Sequence, residues 1–316
     1  MTLVLTHLTP SYVVQVSDRL VTQKESQRPF DPLANKTVVY LARDGIYSIG
    51  YSGMAYLEGV PTDVWVAQKL RGERFDQRFA MRMGPGGHWL DIGQSVDLLR
   101  RDLDALFSVL PASALSPQDL AVAGWQRQGK RARPVLWTIR NSALSGWRTF
   151  EATCPTPRYW HFDHRRRHLL SSIGTNPLSG QQIADLGENL RMASPEDSQH
   201  LLVDAVRLAA RRSRVVGPHC MCVRVAPPFS IVEVEYDQLT EHRAIIRLGE
   251  EEVDVPVAFS PWVVGRDIVV APSIMAGGFQ VQAGPITVRM QAPEVPPGRR
   301  VSAFQSQSRP PDPGGQ

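Results

Sequence analysis

Cysteine is scarce in this chain: Cys154, Cys220 and Cys222 are the three it has in 316 residues. An odd, unevenly spaced set excludes a dense disulfide framework, and no paired spacing of the zinc-ribbon kind is present. Long apolar runs are missing too, and no stretch approaches the ~20 residues that a membrane-spanning helix needs. Charge of one sign is also low. Thirty-five Lys and Arg stand against thirty-one Asp and Glu, and a surplus of +4 on a chain of this length does not imply a nucleic-acid or membrane partner. The opening MTLVLTHLTPSYVV has neither a basic n-region nor a small-residue cleavage site. No signal peptide is expected, and a reducing cytoplasm is the expected setting.

Several familiar motifs stop short. Gly50-Tyr51-Ser52-Gly53 resembles a nucleophile elbow, but Met54 stands where the last glycine of G-x-S-x-G belongs. The glycines of Met83–Trp89 are not followed by the Lys-Ser/Thr of a phosphate loop. His161, Asp163, His164 and His168 read as a surface His/Arg cluster where a loop enters a strand. Cys220 and Cys222, next to His219, alternate onto one strand face and read as small core residues. The basic groups (Arg127, Lys130, Arg131 and Arg133; Arg165 to Arg167; Arg211, Arg212 and Arg214) read as a solvated turn and helix ends. No metal and no cofactor is expected.

Strands and helices alternate in blocks. Val4–Leu8 and Tyr12–Val16 form a hairpin about Thr9-Pro10-Ser11, and a loop broken by Pro29 and Pro32 runs from Thr22 to Asn35. Thr37–Leu41 and Ile46–Tyr51 flank the turn signal Asp44-Gly45. After Gly53 the period becomes helical, with Val64, Ala67 and Leu70 on one face, then Val96, Leu99, Leu103, Leu106 and Phe107 on a second helix. Strands return at Leu120–Trp125, Val135–Ile139, Trp147–Thr153 and His168–Ile173. Two more helices are expected at Gly180–Met192 and Pro195–Arg212, the second announced by Ser194-Pro195-Glu196-Asp197. Cys220–Val225 and Ile231–Tyr236 follow as strands. Arg243–Met290 shows no helical period, and the Pro/Gly/Ser/Gln-rich residues from Gln291 onward are expected to be disordered.

The chemistry concentrates in the first 53 residues. Thr2 becomes the terminal residue if Met1 is excised, and its own amine is then a base for its hydroxyl. Asp18 follows sixteen residues later, Lys36 starts the next strand, and Gly53 lies where a strand gives way to a helix. An ammonium beside the hydroxyl favours the alkoxide, a carboxylate fixes that ammonium, and a glycine N–H can receive a developing oxyanion.

Thr2, Asp18, Lys36 and Ser52-Gly53-Met54-Ala55 resemble the start of proteasome β subunits and of the related bacterial peptidase that works with an unfoldase ring. Those are N-terminal-nucleophile hydrolases, which open with threonine and reach an aspartate sixteen residues on. The resemblance implies an α+β fold, a four-layer αββα sandwich over residues 1–240. It leaves 241–290 as a β-rich extension packed on that domain and 291–316 as a tail. The catalytic set it implies is Thr2, Asp18, Lys36, Gly53 and Thr175, with Gly50 as a second candidate for the oxyanion glycine. Thr175 stands in Ile173-Gly174-Thr175, where the family has Gly-Ser-Gly. The family's later Asp-x-x-Ser-Gly-Gly element is replaced by Ser213-Arg214-Val215-Val216-Gly217-Pro218, which lacks the supporting aspartate and serine. The implied activity is threonine-type amide or peptide hydrolysis in a ring-type homo-oligomer. The alternative is a catalytically inactive proteasome-like scaffold that binds a partner.

Overall fold

Strand alternation decides which way the first side chains point. In Leu3–Leu8, Leu3 and Leu5 enter one buried cluster while Val4 and Leu8 enter another. Val13–Asp18 repeats this, with Val14 and Val16 opposite Val13. A strand covered on both faces has this two-residue period with no polar side. In the computed structural model the described residues are 2–23, 26–32, 34–74, 81–129, 131–156, 168–226, 231–237, 243–248, 251–272, 274–276, 279–282 and 287–290. The expected His161, Asp163 and His164 cluster, Lys130, Arg165 to Arg167 and the tail from Gln291 lie outside them.

The fold is mixed α+β, with two large sheets and four helices among the described residues. The seven-stranded sheet runs Leu169–Gly174, Leu3–Leu8, Val13–Asp18, Cys220–Ala226, Ile231–Asp237, Phe279–Gln282, Thr287–Met290, antiparallel throughout. The eight-stranded sheet runs Phe150–Thr153, Arg131–Asn141, Asp119–Gln128, Gly45–Ser52, Thr37–Ala42, Trp262–Gly265, Ile268–Val270, Met81–Met83. Its one parallel pair joins Trp262–Gly265 to Thr37–Ala42. Residues after 241 therefore supply strands to both large sheets.

The helices are α1 (Thr62–Arg71), α2 (Ile92–Val109), α3 (Gly180–Leu190) and α4 (Pro195–Arg212). Trp65, Leu70, Leu99 and Phe107 of α1 and α2 share a core with Tyr47, Ile49, Val122 and Trp262 of the larger sheet. Leu190, Leu202 and Val206 of α3 and α4 pack on Leu3, Leu5, Val16, Cys220 and Cys222 of the other. A third core holds residues of both sheets, among them Val4, Val13 and Val223 with Val39, Ala121 and Leu136. Polar links cross it. Gln15 Nε2 donates to the Ala121 carbonyl (3.3 Å), Ser48 Oγ donates to Gln15 Oε1 (2.7 Å), and Trp125 Nε1 donates to the Val225 carbonyl (3.1 Å). Buried polar groups are retained when they find partners, and these also fix how the sheets align.

Helix ends follow their sequence signals. Asp91 with Gln94 and Ser179 with Gln182 form capping boxes, and Ser194 accepts the Asp197 N–H ahead of Pro195. α1 closes on Gly72 in the left-handed region at φ 73°. Buried Arg71 then donates to the carbonyls of Gly84, Gly265 and Arg266, and pairs with Glu73 at 3.0 Å. One guanidinium thus ties the end of α1 to two loops.

Three local expectations are corrected. The loop from Thr22 to Asn35 contains a two-stranded ribbon, Val21–Thr22 with Pro29–Asp31. Between Gly53 and α1 lies another short pairing, Tyr56–Leu57 with Val60–Pro61. The strand expected from Trp147 begins at Phe150, because Ala143–Ser145 is a 3-10 turn and Trp147 sits at φ 65°. No described helix is long and apolar enough to cross a membrane.

Candidate active site

Thr2 immediately precedes the first strand and is 3% exposed, with Thr6 also turned toward the larger sheet. Three connections seat it there. Its carbonyl accepts the Thr175 N–H (2.9 Å) and the Ser52 hydroxyl (3.0 Å), and its own N–H donates to Ser52 Oγ (3.3 Å). Thr2 belongs to the seven-stranded side and Ser52 ends a strand of the other sheet. The junction of the two sheets is therefore where the candidate nucleophile sits.

Lys36 reaches the same point from the start of Thr37–Ala42. Its Nζ donates to Thr2 Oγ1 at 2.5 Å and to the Leu20 carbonyl, with Asp18 Oδ2 at 3.5 Å. Lys36 is 2% exposed. Burial lowers its pKa from the ordinary lysine value, and Asp18 opposes that by favouring the charged form. Asp18 is itself fully enclosed. Oδ1 accepts the Leu3 N–H (2.8 Å), and Oδ2 accepts the N–H groups of Leu20 and Gly217 (3.0 Å each). Three backbone donors hold the carboxylate in place regardless of the lysine, and the lysine is aimed from it at the threonine hydroxyl.

The structure separates the two oxyanion-glycine candidates. Gly53 has φ 120° and lines a pocket of about 450 Å³ together with Thr2, Lys36 and Thr175. A Cβ on it would lie 2.4 Å from the Pro117 carbonyl oxygen, so no other residue fits without displacement. Gly50 sits mid-strand opposite Thr37 and Ala121, facing Val4 and Gln15 between the sheets, and is not among the pocket's lining residues. Leu20, Val21, Met54, Ala55, Tyr56 and Val215 supply most of the pocket's apolar wall. A second cavity of about 300 Å³ adjoins it, sharing Val21, Tyr51, Ala55 and Tyr56 and reaching Asp63 and Trp262.

Three residues outside the implied catalytic set also shape the site. Gly174, at φ 81°, passes so close that a Cβ would stand 1.9 Å from the Thr2 carbonyl oxygen and 2.2 Å from Ser52 Oγ. Its N–H donates to Asp119 Oδ2 (3.0 Å), and burial raises the Asp119 pKa against the pull of Arg140. Gly217 reaches Asp18 from the segment Ser213–Pro218, and a Cβ there would meet Leu20 Cβ at 2.6 Å. Ser52 was visible as a small residue before Gly53, but its bonds to Thr2 span fifty residues of sequence. Cys220 and Cys222 are buried in the core beneath α3 and α4, away from the pocket lining.

Chemically, an enclosed ammonium in contact with a hydroxyl lowers the free energy of the alkoxide, and low polarity around it strengthens the effect. No family model matches this chain, and no curated protein matches it in sequence.

Proposed function

We propose that this protein is an N-terminal-nucleophile hydrolase of amide bonds, with the four-layer αββα architecture of proteasome β subunits and Thr2 as nucleophile once Met1 is removed. The observation that carries the reading is the Asp18–Lys36–Thr2 series, a buried carboxylate holding a buried ammonium against a threonine hydroxyl. Burying an ammonium is costly even when paired. A lysine enclosed to hold a strand start has hydrophobic substitutes; one that must stabilise an alkoxide does not.

In this mechanism Thr2 Oγ1 attacks the substrate carbonyl and its proton passes to the Thr2 amine. Lys36, fixed by Asp18, stabilises the developing alkoxide, and the Gly53 N–H receives the oxyanion. Thr175 holds the Thr2 carbonyl from the opposite side. The amine returns the proton to the leaving nitrogen, and water then resolves the acyl-enzyme with the same groups. Peptides are the substrate class that goes with the resemblance, in a cytoplasmic, ring-type homo-oligomer. Mass photometry tests the assembly: a ring gives one discrete multiple of the chain mass, and a monomer at every concentration removes that part of the proposal.

A second reading, a catalytically inert scaffold, is favoured by one observation. The segment Ser213–Pro218 sends a backbone N–H to Asp18 but brings no carboxylate or hydroxyl to Thr2. Treatment with a threonine-reactive electrophile, read by mass at the N-terminal peptide, separates the two. A hydrolase gives an adduct on Thr2 that disappears in Thr2→Ala; a scaffold gives none.

A further inference from the structure

If the segment Ser213–Pro218 does not support the Thr2 amine, another group must. Among the described residues, Ser52 Oγ is the hydrogen-bond partner of the Thr2 nitrogen, at 3.3 Å. The same hydroxyl donates to the Thr2 carbonyl at 3.0 Å, so its proton is committed and its lone pairs face the nitrogen. Ser52 is 3% exposed, and close packing of Gly174 against Ser52 Oγ leaves it little room to turn away. The Thr175 N–H clamps the carbonyl at 2.9 Å, which fixes the rotation of Thr2 about that bond. Ser213, the hydroxyl of the replaced segment, instead accepts the Val215 N–H at 3.4 Å.

We propose that Ser52 is the positioning residue of the Thr2 amine in the processed chain, supplied by the opposite sheet in place of the absent acid–serine support; this rests on Thr2 being the nucleophile. Ser52 Oγ accepts one amine N–H, which leaves the nitrogen lone pair for the Thr2 hydroxyl proton. As the Oγ1–carbon bond forms, that proton moves to nitrogen, and the resulting ammonium keeps one N–H on Ser52. The proton then passes to the substrate nitrogen as the carbon–nitrogen bond breaks. No further reactant is needed. Among the described residues, the charged groups around this point are Lys36, Asp18 and, through the Gly174 N–H, Asp119 with its partner Arg140.

A hydroxyl that accepts from the amine stabilises its protonated form. Removing it therefore lowers the amine pKa, whereas a merely structural serine leaves that pKa alone. The test uses chain beginning at Thr2, as wild type, Ser52→Ala and Ser52→Thr. The rate of adduct formation on Thr2 is followed against pH, and the Thr2 amine is titrated directly by nitrogen-15 NMR. The proposal expects Ser52→Ala to label about tenfold more slowly on the plateau. It expects the acid limb and the amine titration to fall by about one pH unit, with Ser52→Thr restoring both. If wild type is labelled and Ser52→Ala matches it in rate and titration, Ser52 has no such role and the nucleophile reading stands. If wild type is not labelled, the nucleophile reading fails and takes this one with it.

Discussion

Under the proposed mechanism, Lys36 is a residue whose burial is costly for stability and whose charge serves the chemistry. Breaking a buried ion pair commonly costs about 3–5 kcal/mol because a charge is stranded. Here Asp18 keeps three backbone donors when the lysine is gone. Lys36→Met is therefore expected to cost less than that range in denaturant unfolding, while labelling of Thr2 falls at least about a hundredfold. Gly174→Ala is expected to act on stability and labelling alike. Its backbone sits at φ 81° and its Cβ would strike the Thr2 carbonyl and Ser52, so thermal stability and Thr2 labelling should fall together. Thr2, Asp18, Lys36 and Gly53 were legible in the sequence because each needs a particular residue type at a turn or strand end. Ser52 and Gly174 were less so. Their roles depend on which sheet faces which, and spacing does not encode that.

At the scale of elements, local signals that stand alone were readable. The N-terminal hairpin, α2 and α4 emerge from alternation, helical period and the Ser194-Pro195 start. The short ribbons Val21–Thr22 with Pro29–Asp31 and Tyr56–Leu57 with Val60–Pro61 were not. Pairs of two or three residues have no intrinsic stability and form because neighbouring structure positions them. Both border the Thr2 pocket through Val21 and Tyr56. The parallel insertion of Trp262–Gly265 beside Thr37–Ala42 was likewise invisible, since a strand's partner more than two hundred residues away leaves no local pattern. Arg71 holds that region together through three carbonyls. Arg71→Leu should lower stability by about 3 kcal/mol or more. Hydrogen exchange should rise around residues 81–88 and 265–266 before it rises in the first hairpin.

For the whole molecule, two buried groups give opposite pH dependences on either side of the sheets. His7, packed by Tyr12, Ser198 and His168 under α4, has its pKa lowered to about 4, first by burial and then by His168. The unfolded chain binds that proton near 6.5, so its contribution is complete above 6.5 and lost as pH falls toward 4. Asp63, at the start of α1 beside Trp262, is raised to about 7 by burial. The native state holds that proton more tightly, so its contribution is complete below 3.8 and lost as pH rises through 7. Each amounts to roughly 3–4 kcal/mol and they oppose each other across one window. Relative to wild type, Asp63→Asn should gain stability as pH rises from 4 to 7, and His7→Gln should gain as pH falls over the same range. Parallel melting curves at each pH check both.

The proposed activation of Thr2 by Asp18 and Lys36 is read out by intact-mass and peptide mass spectrometry after electrophile treatment. A single adduct is expected on Thr2 of chain lacking Met1, absent in Thr2→Ala and slowed at least about a hundredfold in Lys36→Met. A chain that begins at Thr2 and yet acquires no adduct, or acquires it equally with Lys36→Met, contradicts it.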